Sequence, residues 1–92
     1  MIVRISTEGQ YAIDEAFRQT LDELDREAVA TCEAGDEQRF HAALARLLEF
    51  IRSNGTPVSG DELVGSDIIL PPPDVSLKEA QAEFQGEGLI PG

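Results

Sequence analysis

The length, composition and charge of this chain are those of a small folded protein. Its 92 residues, 41% apolar and 27% charged, predict a single globular domain over residues 1–92. Eighteen acidic side chains against seven basic ones give a net charge of −11, which opposes direct binding to nucleic-acid phosphates and to anionic lipid headgroups. The same charge suits a basic protein partner, although acidic surfaces also keep many small proteins in solution.

Three features of the sequence predict a cytoplasmic protein. The opening MIVRISTEGQY has one Arg and no long apolar stretch, so it does not resemble a signal peptide. The apolar run at residues 68–73 is far shorter than the roughly 20 residues that a membrane-spanning helix needs. The single cysteine, Cys32, allows no intramolecular disulfide, which is typical of a reducing compartment.

The first 13 residues predict a β-hairpin. β-branched and apolar residues alternate weakly over residues 2–6, which favours a strand. Gly9 then permits a tight turn, and residues 11–13 return as a second short strand.

Two amphipathic helices follow and predict a helical hairpin. Asp14 is placed to cap the first, over residues 14–34, and Gly35 to end it. Asp36 is placed to cap the second, over residues 37–53, and so short a break makes the two helices antiparallel neighbours. The predicted apolar stripes are Phe17, Leu21, Leu24, Ala28 and Cys32 on the first helix, and Phe40, Leu44, Leu47, Leu48 and Ile51 on the second.

The rest of the chain predicts one more strand and one more helix. Residues 67–70 form an apolar run that favours a strand, and Ser76 with Glu79 fits a capping box for a short helix over residues 77–85. Three short strands cannot bury an apolar face alone. We therefore predict an α+β domain, in which the N-terminal hairpin and the late strand form a small sheet packed on the long helical hairpin, with a short C-terminal helix.

No grouping of residues predicts catalysis, a metal site or a cofactor. His41, the one histidine, has no nucleophile or further ligand at a recognisable spacing, and it is interpreted as a surface or flanking residue. Cys32 lies in an apolar stripe beside Glu33, so it is interpreted as a small core residue. The acids at positions 22, 23, 25 and 27 are predicted to decorate an exposed face, and the acidic stretch GDELVGSD (residues 60–67) lacks the pattern of a calcium loop. We predict no enzymatic activity, no cofactor and no metal.

Several stretches, taken in order, resemble the PspA-associated protein family. They are MIVRI followed by EGQY, the two-helix stretch LDELDREAVATCEAGDEQRFHAAL, NGTPV, SDIILPPPD and the terminal EGLIPG. The resemblance extends over essentially the whole chain and rests on the order and spacing of these stretches. It implies a small cytoplasmic companion of PspA, a coiled-coil, membrane-remodelling protein of the phage-shock (envelope-stress) response that polymerises on anionic membranes. It implies no catalytic or ligand-binding residues.

The resemblance and the charge together predict a non-enzymatic interaction module that binds or modulates PspA and reaches the inner face of the membrane through it. The candidate contacts lie on the solvent edge of the helical hairpin, on the proline corner (residues 70–74) and on the C-terminal tail. The prolines are interpreted first as a rigid strand-to-helix corner and only second as a contact. The candidate contact residues are Asp22, Asp25 and Arg26; Leu70, Pro71, Pro72, Pro73 and Asp74; and Leu89, Ile90 and Pro91.

The alternative prediction belongs to a different class. The chain would be a self-associating structural domain, a homodimer formed through a strand edge or through the helical hairpin.

Overall fold

A β-hairpin opens the fold. In a computed structural model, which describes residues 1–59 and 65–84, β1 (Ile2–Ile5) pairs antiparallel with β2 (Gly9–Ala12). The amide of Glu8 donates to the carbonyl oxygen of Ile5 over 3.0 Å to close the turn. Gly9 has a φ of +127°, a conformation that glycine adopts at little cost. The second strand begins two residues earlier than predicted, because Gly9 serves both the turn and the ladder.

Two further strands complete a four-stranded sheet of order β3-β2-β1-β4. β4 (Ile68–Leu70) runs parallel to β1, and the amide of Ser6 extends the pairing by donating to the carbonyl oxygen of Leu70 over 3.0 Å. β3 (Thr56–Pro57) pairs antiparallel with β2. The late strand thus joins the hairpin, whereas β3 has no counterpart in the sequence prediction, since two exposed residues carry no alternation to detect.

The first long helix, α1 (Arg18–Glu33), begins after a single 3₁₀ turn (Glu15–Phe17). Asp14 accepts a hydrogen bond from the amide of Ala16 over 2.8 Å, as a capping residue does. The predicted helix over residues 14–34 therefore divides into a tight first turn and a regular helix. Gly35, with a φ of +74°, ends it.

Two further helices, α2 (Glu37–Asn54) and α3 (Leu77–Phe84), each start directly after the capping residue that the sequence indicates. Asp36 accepts a hydrogen bond from the amide three residues further on over 3.1 Å, and Ser76 does the same over 3.1 Å. These bonds satisfy amides that the first turn of a helix otherwise leaves unpaired.

The core lies between the sheet and the α1–α2 hairpin. The stripe predicted for α2 is confirmed, because all five of its residues are buried. Three residues of the α1 stripe are buried, while Phe17 and Leu24 are half-buried at its margin. The sheet contributes alternate residues of β1 and β4, and the α+β fold class is confirmed; these buried strand residues are Val3, Ile5, Ile68 and Leu70.

Asp25 is the one charged side chain buried within the described part of the chain, with 5% of its surface exposed. It follows Leu21 by four residues and precedes Ala28 by three, so helical geometry places it on the buried stripe. The prediction that Asp25 decorates an exposed face is therefore wrong. It assigned the residue by its polarity instead of by its position on the helix.

Gly55 lies where α2 passes the chain to β3, in close contact with its neighbours. A Cβ atom added there would lie 2.7 Å from the carbonyl oxygen of Ile51 and 3.0 Å from the Cβ atom of Tyr11. The amide of Gly55 also donates to the Ile51 oxygen over 2.8 Å. The backbone therefore cannot move away from these atoms without weakening that hydrogen bond.

We predict that Gly55→Ala lowers the free energy of unfolding by about 1–3 kcal/mol, because the added methyl group overpacks this contact. Chemical denaturation followed by circular dichroism measures the change. Gly65→Ala is the matched control, since Gly65 is exposed and a Cβ atom there meets nothing within 4 Å. Equal stability of the two variants would contradict the prediction.

Candidate interaction surfaces

The proline corner is held to the rest of the fold by its own backbone and side chains. Leu70 and Pro71 are buried. The amide of Val75 donates to the carbonyl oxygen of Pro72 over 3.1 Å and closes a turn. His41 Nε2 donates to the carbonyl oxygen of Val75 over 2.8 Å, which ties the end of the corner to α2. These contacts agree with the interpretation of the prolines as a rigid strand-to-helix corner.

The corner offers a partner less surface than its sequence indicates. Pro73 and Asp74 are exposed and Pro72 is half-buried, whereas Leu70 and Pro71 are buried and out of reach of a partner. The predicted contacts of the tail, Leu89, Ile90 and Pro91, lie outside the described residues.

The three predicted contacts on α1 do not form one surface. Arg26 is exposed, Asp22 is half-buried and Asp25 is buried. Asp22 and Arg26 lie one turn apart and on the side of α1 opposite to Leu24, as the 100° rotation per residue requires. The structure therefore leaves Arg26 as the most accessible of the three.

A groove that the sequence analysis does not predict runs between α1 and α2. It holds about 540 Å³ and its walls are mostly apolar. We call it the α1–α2 groove; it is lined by Thr20 and Leu24 of α1 and by Ala45, Arg46, Glu49, Phe50, Ser53 and Asn54 of α2.

The floor of the α1–α2 groove is a margin of the core that the two helices leave incompletely covered. Leu24 and Phe50 are half-buried and pack against the core residues. The ring of Phe50 meets the ring of Phe17 edge to face, with centroids 5.6 Å apart and an angle of 80°. Phe50 lies just outside the predicted stripe of α2, and an aromatic residue in that position is the one sequence signal that indicates a wider apolar face.

Charged side chains border the α1–α2 groove on both helices. Glu27 of α1 forms an ion pair with Arg46 of α2. Glu49 accepts a hydrogen bond from the Ser53 hydroxyl over 3.3 Å and lies 3.6 Å from the Arg52 guanidinium. Acids therefore border the groove on both helices, and the two bases beside them, Arg46 and Arg52, both lie on α2.

Arg52 is bound mainly by Glu8, in the turn of the β1–β2 hairpin. Its guanidinium donates to both carboxylate oxygens of Glu8, over 2.9 and 2.7 Å. This hydrogen bonding to Glu8 raises the pKa of Arg52 above its usual range, so the guanidinium stays charged at any physiological pH. The pair joins the end of α2 to the β1–β2 turn.

The structure shows the surroundings of the Cys32 thiol and of the possible metal-ligating side chains. Burial, and then the nearby carboxylate of Glu33, raise the pKa of the Cys32 thiol, so it stays protonated and is a poor nucleophile at neutral pH. Within residues 1–59 and 65–84, no three His, Cys, Asp or Glu side chains are grouped as metal ligands. None of the helices described there combines the length and the apolar character that crossing a bilayer requires.

Comparison with known proteins shows which family the chain belongs to. A family model described as PspA-Associated protein matches residues 1–92, which is every residue of the chain. No curated protein and no solved structure matches it. The resemblance read from the sequence is confirmed, and the chain belongs to the PspA-associated protein family.

Proposed function

We propose that this chain is a non-enzymatic interaction module that binds PspA. The observation that carries the proposal is the match of the PspA-associated family model to every residue of the chain. The fold supports it, because α1 and α2 are long enough to lie along a helical partner and the α1–α2 groove leaves apolar side chains partly uncovered between them.

The net charge indicates how the module would act on PspA. By the resemblance described above, PspA is a coiled-coil protein that polymerises on anionic membranes, and basic stretches are what draw a protein to such lipid. A chain with a net charge of −11 is repelled by that lipid and attracted to the same basic stretches. It would modulate PspA by competing with the membrane for them, and it would reach the membrane only through PspA.

We expect the purified chain to retain PspA in a pull-down assay, and we expect anionic liposomes to reduce the amount retained, because lipid and module compete for the same cationic surface. Liposomes of neutral lipid are the control and should leave retention unchanged. Absence of PspA from the pull-down, with and without liposomes, would contradict the proposed function.

We also expect the affinity of the chain for PspA to fall when salt is raised from about 50 to about 500 mM, because salt screens attraction between exposed charges. Isothermal titration at the two concentrations measures the change. Equal affinity at both concentrations would count against competition through charge and in favour of apolar contact alone.

A second candidate, a self-associating domain, is favoured by one observation. Ile69 of β4 is 59% exposed, and β4 is an edge of the sheet as described. An exposed apolar edge strand is a site where two copies can pair. Against this, β4 has only three residues, and each copy would bring a net charge of −11.

Light scattering of the isolated chain tests the second candidate. We expect a monomer, because charge repulsion between copies outweighs the pairing of so short an edge. A dimer that Ile69→Lys converts to a monomer, while Thr56→Lys on the opposite edge strand does not, would favour self-association instead.

A further inference from the structure

The α1–α2 groove is a shallow, open surface on which a third helix can lie. Its floor is made by the half-buried side chains of Leu24 and Phe50. The neighbouring positions Thr20, Ala45 and Ser53 carry small, exposed side chains. Small side chains let another backbone come close, and the apolar floor between two antiparallel helices matches the narrow stripe of an amphipathic helix.

The charge around the groove specifies the flanks of that helix. Glu23 and Glu27 lie four residues apart on α1, on the row next to Thr20, and Glu49 lies on the α2 side. Among the described residues Glu23 takes part in no ion pair, while Arg46 is paired with Glu27. Two bases stand beside these three acids: Arg46 is paired with Glu27, and Arg52 lies 3.6 Å from Glu49 but is held mainly by Glu8. The border keeps a net negative charge, so complementary flanks carry Lys or Arg.

The same charge argues against a second copy of this chain as the occupant. Two α1–α2 grooves brought face to face would oppose acidic borders, in molecules that each carry a net charge of −11. Like charges placed opposite one another in an interface are strongly unfavourable. The occupant is therefore a different, cationic chain.

We infer that the α1–α2 groove binds one amphipathic helix of a protein partner, with the apolar stripe of that helix on Leu24 and Phe50 and its Lys or Arg flanks beside Glu23, Glu27 and Glu49. This inference deepens the proposed function and rests on it for the identity of the partner, which would be PspA. The proline corner, the half-buried Asp22 and the exposed Arg26 then lie outside the contact.

Two synthetic peptides test the chemistry of the groove directly. Both carry a leucine stripe on an amphipathic helix; one has Lys flanks and the other has Glu flanks. Titrated into the full ¹⁵N-labelled chain, the Lys-flanked peptide should shift the backbone amide signals of Thr20, Leu24 and Phe50. The Glu-flanked peptide should not bind. Binding of both peptides, binding of neither, or signals that shift only on another face would overturn the inference.

A matched pair of variants separates seating in the groove from general attraction to an acidic protein. Ala45 lines the groove, whereas Ala12 lies on β2 of the sheet and does not line it, and both are exposed. Ala45→Lys and Ala12→Lys change the net charge equally. We expect Ala45→Lys to weaken the Lys-flanked peptide by at least about tenfold and Ala12→Lys by less than about twofold, since only the first puts a like charge against the bound helix. Equal weakening by the two variants would overturn the inference.

The same pair of variants, tested against PspA, distinguishes failure of the inference from failure of the proposed function. If the peptide binds in the groove but PspA does not bind, the proposed function is overturned and the chemistry of the groove stands. If PspA binds and the two variants weaken it equally, the inference is overturned and the proposed function stands. Thermal unfolding of each variant, followed by circular dichroism, shows that both are folded in these assays.

Discussion

The parallel pairing of β1 with β4 brings residues 68–70 back beside residues 3–5, and the position of the helices depends on it. Parallel neighbours cannot be joined by a tight turn, so the chain between them has to cross over, and the α1–α2 hairpin supplies most of that length. The same crossover covers the sheet, as the full burial of Val3 and Ile5 of β1 shows. Strands of two to four residues do not hold a sheet by themselves, so the sheet and the helical hairpin stabilise each other.

Sequence periodicity predicted the elements whose burial repeats along the chain and failed where it does not repeat. The five buried residues of the α2 stripe recur at helical spacing, so the apolar pattern was enough to predict which face of α2 is buried. β3 contains two exposed residues, one of them a proline, and it is recognised as a strand only through its pairing with β2. Asp25 was misplaced because a polar residue on a buried stripe breaks the pattern that reveals burial. The start of α1 was placed too early, because Asp14 gives the same capping signal before a 3₁₀ turn as before an α-helical one.

The candidate surfaces were predicted from the sequence less well than the helices were. Three consecutive prolines are conspicuous in the sequence, but the first of them is buried. The carbonyl oxygen of Pro72 accepts a hydrogen bond from the amide of Val75, and the carbonyl oxygen of Val75 accepts one from His41. The α1–α2 groove is made of ordinary residues and belongs to two helices at once. Whether Leu24 and Phe50 are covered depends on the rotation of each helix and on the distance between them, which no single helical pattern contains.

The ion pairs of the chain explain how an acidic border can persist next to arginines. Within the part of the chain that the structure describes, four of the seven basic side chains pair with acids: Arg18 with Glu15, Arg39 with Asp36, Arg46 with Glu27 and Arg52 with Glu8. Pairs that are largely exposed stabilise a fold only slightly, but they remove isolated positive charges that would repel a cationic helix. An anionic membrane and the border of the groove then have the same sign of charge, so one cationic helix can satisfy either of them but not both at once. In the proposed complex, charge would supply the attraction and the apolar floor the register, so the acidic composition and the α1–α2 groove would act together.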